Sequence, residues 1–326
     1  IVAESAVKTV MSGPASGVMA AAATCREAGI DKVITYDMGG TSSDVGLVQG
    51  GVPQVTAELD LEYGMPIHVP MVDVHTIGAG GGSIAFVNDA GMLQVGPESA
   101  GATPGPVCYG RGGVRPTITD ANLILGRLDP DALLAVDNPV SLQEVRALFE
   151  KEIGQHFNMT AEEAATAVLQ VANNKMAGAI RMVSLSRGHD PRDFALFAFG
   201  GAGPLHGVAL AKELAIPRVV IPVKPGITNA LGCVVSDLRH DFVNTINTPL
   251  QTLDIELVRR TLNQQIEEGK RMIARDRVAT EELVFLYSAD MQFQGQSHML
   301  SVDISGPEVT LDELQKRFDE VYWARF

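Results

Sequence analysis

The chain has 326 residues, 46% of them apolar and 20% charged, a balance that fills a large core and excludes disorder or a disulfide-held miniprotein. Lys plus Arg number 25 against 39 Asp plus Glu, a net charge of −14, which argues against nucleic acid and anionic membrane surfaces as partners. The three cysteines, Cys25, Cys108 and Cys233, lie far apart; they spell neither a disulfide framework nor a CxxC metal site, and a reducing, cytoplasmic location is expected.

This length predicts about two domains, and 33 Gly and 17 Pro beside 5% aromatics favour an α/β fold class. Residues 14–28 are Ala-rich and predict a helix opening at Pro14. Residues 32–37 form a β-branched run broken by Gly39-Gly40. A hairpin is expected over 45–55, turning at Gly50-Gly51, then a strand over 67–77 that ends in Gly78–Gly82, and another over 83–88. From Gly96 to Thr117, ten of 22 residues are Gly or Pro, so a long loop carrying Glu98, Arg111 and Arg115 is predicted. Ser141 with Glu144 and Thr160 with Glu163 have capping-box spacing, the second opening a helix to about Ser186. Met159, Met176 and Met182 on these helices read as core fillers.

The apolar strand 194–199 leads through Gly200, Gly201 and Gly203 into a helix reaching Leu214, then a strand at 218–222. That order predicts a parallel βαβ unit with both faces covered. Near Thr248 the texture changes to a helix over 252–274, strands near 283–290 and 298–304, and a last helix from Leu311. Domains of 1–248 and 249–326 are therefore expected. No run approaches the ~18 apolar residues of a membrane helix. The first residue is Ile1 and the last helix is still running at Phe326, so a piece of a longer protein is expected.

The densest local signal is Asp37-Met38-Gly39-Gly40-Thr41-Ser42-Ser43-Asp44. Two glycines let backbone approach a ligand, and bare N–H groups with the Thr41 and Ser42 hydroxyls can cradle an anion. An acid beside a phosphate is repulsive unless a cation lies between, which would make Asp37 or Asp44 a Mg²⁺ holder through water. The same residues also make an ordinary tight hairpin. Gly200, Gly201 and Gly203 before Pro204 suit a ligand at a helix N-terminus, or close strand–helix packing. No GxxxxGK[ST] occurs and Ser83 stands where a dinucleotide fingerprint needs glycine, which excludes P-loop and NAD-binding readings.

Asp73 and His75 are two apart in a predicted strand and share a face. They read as a metal half-site, an acid/base pair or a hydrogen-bonded core pair. Asp120, in Thr119-Asp120-Ala121-Asn122, reads as a third ligand or a helix cap.

The whole set is more specific than its parts. Ser12-Gly13-Pro14-Ala15-Ser16-Gly17-Val18, DMGGTSSDV (37–45), HTIGAGGGSIA (75–85), GPESAGATPGPVCYGRGG (96–113), PTITDANLILGRLDP (116–130), RGHDPRDF (187–194) and FGGAGPLH (199–206) occur in one order. This resembles the hydantoinase A/5-oxoprolinase family, with its N-methylhydantoinase A-type and ketone carboxylase subunits. The resemblance implies an actin/sugar-kinase-like (ribonuclease H-like) ATPase lobe with a partial α+β C-terminal element. It implies ATP and Mg²⁺ as cofactors, with phosphate contacts from Gly39, Gly40, Thr41 and Ser42 and adenosine contacts from Gly200, Gly201 and Gly203. Asp37 would serve the metal. Asp73 and His75 would serve a substrate-side metal or acid/base step. A first phosphate loop would lie upstream of Ile1, so the isolated chain is expected to bind ATP weakly or not at all and to be inactive.

The activity implied is ATP-dependent opening of a cyclic amide, of hydantoin or 5-oxoproline type, by phosphorylation of the carbonyl oxygen. The alternatives are the ATP-using subunit of a ketone carboxylase or a non-catalytic docking lobe. A B-type hydantoinase subunit is the implied partner, and a second divalent metal and homo-oligomerisation stay open. The family's Arg-Tyr before a Gly-Gln step is Gln292-Phe293 here.

Overall fold

The computed structural model describes residues 11–56, 59–61, 65–67, 71–133, 136, 138–276, 278–296 and 299–325. The chain divides into two compact units, Ile1–Ser236 and Asp237–Phe326. The sequence placed this boundary between 248 and 249. Residues 237–249 carry no helix or strand, yet Ile246 packs with Leu250 and Leu253 in the second unit and Asn244 accepts from Gln265 Nε2 at 2.7 Å.

The first unit opens with α1 (Ser12–Glu27), then β1 (Val33–Met38), β2 (Ser43–Gln49) and β3 (Val52–Pro53). Short strands β4 (Val55–Thr56), β5 (Leu59–Leu61), β6 (Met65–Ile67) and β7 (Met71–Val72) follow, then β8 (Val74–Ile77), β9 (Ser83–Val87) and β10 (Leu93–Ser99). Residues 68–70 of the expected 67–77 strand lie outside the described residues. Next come α2 (Ile118–Ile124) and α3 (Leu142–Phe149), the latter running through one π turn into α4 (Gln155–Phe157). α5 (Ala161–Ser186), β11 (Ala195–Phe199), α6 (Gly203–Leu214), β12 (Arg218–Val220) and α7 (Thr228–Val235) complete the unit. The second unit has α8 (Ile255–Asp276), the hairpin β13 (Ser288–Met291) and β14 (Leu300–Asp303), and α9 (Leu311–Arg325).

One mixed sheet organises the first unit, in the order β12-β11-β1-β2-β3 with β8 also on β2. β12, β11 and β1 are parallel; β2 runs antiparallel to β1, β3 and β8. β11-α6-β12 is the expected parallel crossover. The period of two in these strands feeds two cores. Ile34, Tyr36, Met38, Val45, Leu47, Leu196 and Ala198 face α5, α2 and α6. Val33, Val48, Val74, Phe197 and Phe199 face Val18, Ala21, Ala22 and Cys25 of α1. Small residues on α1 let the helix approach closely, and α7 packs against α1.

Both capping boxes form, at Ser141/Glu144 and Thr160/Glu163, and a third forms at Thr117/Asp120. Met176 fills the core under the sheet, where Tyr36 Oη donates to its sulfur at 2.6 Å. Met182 is 70% exposed and Met159 36%, so two of the three expected core methionines lie on the outer surface. The 96–117 segment begins inside β10 and is tied down by the Cys108 and Val107 amides described below. In the second unit Phe293 packs edge-on to Phe318 and Tyr322, at 4.9 and 4.8 Å between ring centres, which gives that position a packing role.

Candidate active site

β1 and β11 lie side by side and parallel, with Asp37 beside Phe199. Both end in glycine turns at the same sheet edge, the place where open α/β sheets take ligands. The first turn, 39–42, is closed by the Gly39 amide donating to Ser42 O at 3.0 Å. The third glycine cluster lies against it. Gly81 and Gly82 amides donate to the carbonyls of Gly39 and Gly40, at 3.0 and 2.6 Å. A Cβ on Gly80 would fall 2.5–2.6 Å from the main chain of Thr41 and Ser42, so only glycine permits this stacking.

That stacking has a directional consequence. In a trans peptide a carbonyl and the next N–H point opposite ways. With the Gly39 and Gly40 carbonyls committed to Gly81 and Gly82, the N–H groups of Gly40 and Thr41 turn to the other side. Neither amide, nor the Thr41 or Ser42 hydroxyl, has a hydrogen-bond acceptor among the described residues. Gly39, Gly40 and Thr41 are exposed. Two adjacent outward N–H groups with two free hydroxyls form a concave donor set suited to a phosphate or carboxylate.

The second turn sits against Asp37. Gly200 has φ +83°, and a Cβ there would lie 2.2 Å from Asp37 Oδ1; a side chain at this position would be strained and would collide with the carboxylate. Ala202 N donates to Met38 O at 2.9 Å and Gly200 N to Pro225 O at 3.0 Å. Gly203 opens α6, buried, with Pro204 in the first turn, while Gly201 is exposed. The structure thus brings Asp37, Gly39, Gly40, Thr41, Ser42, Gly200, Gly201 and Gly203 to one edge.

Asp44 stands directly across from Asp37 on β2. Burial raises the Asp37 carboxyl above its usual range, against the lowering effect of a hydrogen bond from Asn229. Burial also raises Asp44, with a further push from the Asp37 charge, opposed by the Thr76 hydroxyl, which donates at 2.6 Å. No Lys or Arg forms an ion pair with either acid among the described residues. Two facing carboxylates without a basic partner fit a hard divalent cation. No cluster of three or more His, Cys, Asp or Glu in metal-holding arrangement occurs among the described residues, so such a cation would keep most of its ligands from water or substrate oxygens.

Asn229, on α7, was not legible as a site residue. Its Nδ2 donates to Asp37 Oδ2 at 2.8 Å across 192 residues of sequence.

The remaining candidates take other roles. Asp73 forms an ion pair with Arg187, and His75 Nε2 lies 2.6 Å from the same guanidinium and 3.3 Å from Asp73 Oδ1. Burial opposes ionisation of Asp73, but the contacts with His75 and the Arg187 charge outweigh it and hold the carboxyl below its usual range. Register fixes the side of the sheet. His75 pairs with Val45 and so faces α5, whereas Asp44 and Asp37 face α1 and α7. Asp73 and His75 are therefore an ion-paired cluster on the opposite face, with a guanidinium where a metal would sit.

Asp120 is fully buried, and its two oxygens accept from the amides of Val107, Cys108 and Thr117 and from the Thr117 hydroxyl, at 2.7–3.2 Å. Of the two sequence readings of Asp120, the structure shows the cap, with both oxygens engaged by main-chain amides of its own neighbourhood and no metal-holding cluster with Asp73 and His75 among the described residues. It ties the Gly/Pro-rich segment to α2, whose Thr119 N and Oγ1 donate to Gly81 O.

Two parallel strands ending in glycine turns beside facing acids place the first unit among the mixed α/β proteins. Residues 2–242 match the family model described as Hydantoinase/oxoprolinase, and the chain belongs to that family. It is 40% identical over 333 residues to the caprolactamase subunit alpha of Pseudomonas jessenii, covering 100% of this chain and 48% of that protein. The crystal structure of the ATP-dependent caprolactamase from that organism superposes with a TM-score of 0.86 at 40% identity, covering 96% of this chain and 46% of that one. A nucleotide-free acetone carboxylase structure gives 0.69 at 27% identity, covering 95% and 45%. The chain thus spans just under half the length of these relatives.

Proposed function

We propose that this chain is the nucleotide-gripping part of the A-type subunit of an ATP-dependent cyclic amide hydrolase. What supports the reading most is the outward pair of amides at Gly40 and Thr41 beside the facing acids Asp37 and Asp44, which have no Lys or Arg ion-pair partner among the described residues. Relatives whose names state ATP dependence and lactam hydrolysis point the same way.

A lactam carbonyl is a poor electrophile and its nitrogen a poor leaving group. Phosphoryl transfer from ATP to the carbonyl oxygen, with ADP leaving, would make an imidate phosphate; attack of water at its carbon would expel phosphate and break the ring C–N bond, the nitrogen leaving protonated as the amine. Catalysis of the transfer is positioning plus charge neutralisation. Gly39, Gly40, Thr41 and Ser42 hold phosphate oxygens through the 40 and 41 amides and the two hydroxyls. Asp37, with Asp44 across from it, would hold the divalent cation, and that cation would supply neutralisation of phosphate charge. Gly200, Gly201 and Gly203 leave room for the nucleoside along the mouth of α6. The fold in this reading is one lobe of an actin/sugar-kinase-like ATPase, the reaction is completed with a B-type subunit, and the enzyme works in the cytoplasm. Asp73 and His75 stabilise the β8 edge through Arg187 and take no metal.

The likeness to acetone carboxylase supports a second reading, an ATP-using ketone carboxylase subunit. One assay on the complete enzyme separates the two: ATP hydrolysis stimulated by lactams, hydantoins or 5-oxoproline, against ATP hydrolysis stimulated by ketone plus bicarbonate. The cyclic amide reading expects the first. In the same assay Asp37→Asn removes turnover by at least about a hundredfold, since electrostatic groups at phosphoryl sites contribute on that scale; retained turnover would refute the role of Asp37.

A further inference from the structure

Asn229 is a polar residue in contact with Asp37 that no sequence motif singles out. Its Nδ2 donates to Asp37 Oδ2 at 2.8 Å, while its Oδ1 is buried with no hydrogen-bond partner among the described residues. A buried acceptor left unpaired costs stability, where an apolar side chain of similar shape would not. The carbonyl end sits tight against the Gly17 backbone and the Phe199 ring, since a Cβ on Gly17 would fall 2.2 Å from Asn229 Oδ1 and 2.6 Å from the ring. The amide group is therefore fixed in orientation by packing from α1 and β11, and its NH₂ end is aimed at the carboxylate. On the other side, Gly200 leaves Asp37 Oδ1 just enough space to stay in the mouth.

We infer that Asn229 is a positioning residue: it locks Asp37 by one oxygen so that the other faces the divalent cation accompanying the nucleotide. This rests on the proposed function and names a residue that the reading itself does not require. The orphaned Oδ1 is the cost of that orientation. A residue present only for packing would not leave a polar atom unsatisfied, and one present only for stability would not need its donor on one of the two acids that flank the turn. Asp44 has its own fixing donor in Thr76, so each of the facing acids is held by one neutral donor from a neighbouring element. Neutral donors orient the carboxylates without cancelling their charge, which a Lys or Arg would do.

The test uses the complete enzyme with Mn²⁺ and a non-hydrolysable ATP analogue, reading bound Mn²⁺ by electron paramagnetic resonance, with a thermal melt beside each titration. Asn229→Ala, which deletes both the donor and the orphaned acceptor, is expected to keep its melting temperature and to bind Mn²⁺ at least about tenfold more weakly, the scale of one hydrogen bond to a charged group. Asn229→Ser, keeping a shorter donor, is expected to recover part of that loss. A lowered melting temperature with unchanged Mn²⁺ affinity in Asn229→Ala would overturn the inference and leave Asn229 structural. Asp37→Ala separates the two levels. If it loses Mn²⁺ while Asn229→Ala does not, only the positioning role fails; if it binds Mn²⁺ as the wild type does, the metal role of Asp37 fails with it.

Discussion

At the residue scale, His206 carries a consequence for pH. It is fully buried on α6, with Nδ1 2.7 Å from Asn173 Oδ1 on α5 and Nε2 3.4 Å from Asn122 Nδ2 on α2. The neutral ring satisfies both, donating from Nδ1 and accepting at Nε2. Burial, helped by the nearby Arg127 charge, lowers its pKa from 6.5 to about 4. The folded state therefore binds fewer protons than the unfolded one between those values. The stability contributed by His206 is complete above pH 6.5 and drains as pH falls towards 4, by on the order of 3 kcal/mol in all. Melting temperatures across this range check it. His206→Gln, which cannot be protonated, should lose less stability on acidification than the wild type, so the gap between the two narrows as pH drops. A gap that stays constant would contradict the assignment.

Also at this scale, the sequence was informative where chemistry is local. The loop at 37–44 was legible because acid, glycines and hydroxyls are consecutive, and Asp120 because Thr117 stands three residues before it. Asn229 was not, since its partner lies 192 residues away and no spacing rule spans that distance. The pairing of Asp73 and His75 was legible from their separation of two. That Arg187 would complete it was not, because the contact depends on where α5 ends against β8.

At the scale of elements, the site is a stack of turns held by main chain. Gly78–Gly82 is the middle layer. It donates to the 39–42 turn through Gly81 and Gly82, and the Gly81 carbonyl receives the start of α2. Sequence reading saw three separate glycine clusters; the parallel pairing of β1 with β11 and the antiparallel pairing of β2 with β8 bring them to one edge. α7 carries little sequence signal, being eight residues long with no side-chain cap. The stack makes a sharp prediction. Gly80→Ala places a methyl 2.5 Å from the Thr41 carbonyl carbon, so the 39–42 turn must shift and re-aim its amides. Overpacking on this scale costs about 1–3 kcal/mol, and calorimetry on the complete enzyme should find ATP binding weakened about tenfold or more. Gly178→Ala, into open space on α5, serves as the control and should bind as the wild type does. Equal affinity in both variants would show that the stacking does not shape the nucleotide site.

At the scale of the whole molecule, a chain of net charge −14 would repel a nucleoside triphosphate at long range and again at the Asp37–Asp44 pair. Under the proposed function, binding is therefore expected to depend on a cation more strongly than amide donors alone would require. The compact units divide after Ser236, whereas the change in sequence texture falls near 248, because residues 237–249 pack with the second unit without forming elements of their own. Membership of the Hydantoinase/oxoprolinase family covers residues 2–242, the part that holds every proposed nucleotide contact. The most direct measurement is a crystal structure of the complete enzyme with Mn²⁺ and a non-hydrolysable ATP analogue. An anomalous manganese peak beside Asp37, with a phosphate oxygen on the amides of Gly40 and Thr41, is the expected result. An analogue seated elsewhere, with this turn empty and no manganese at Asp37, would contradict the account.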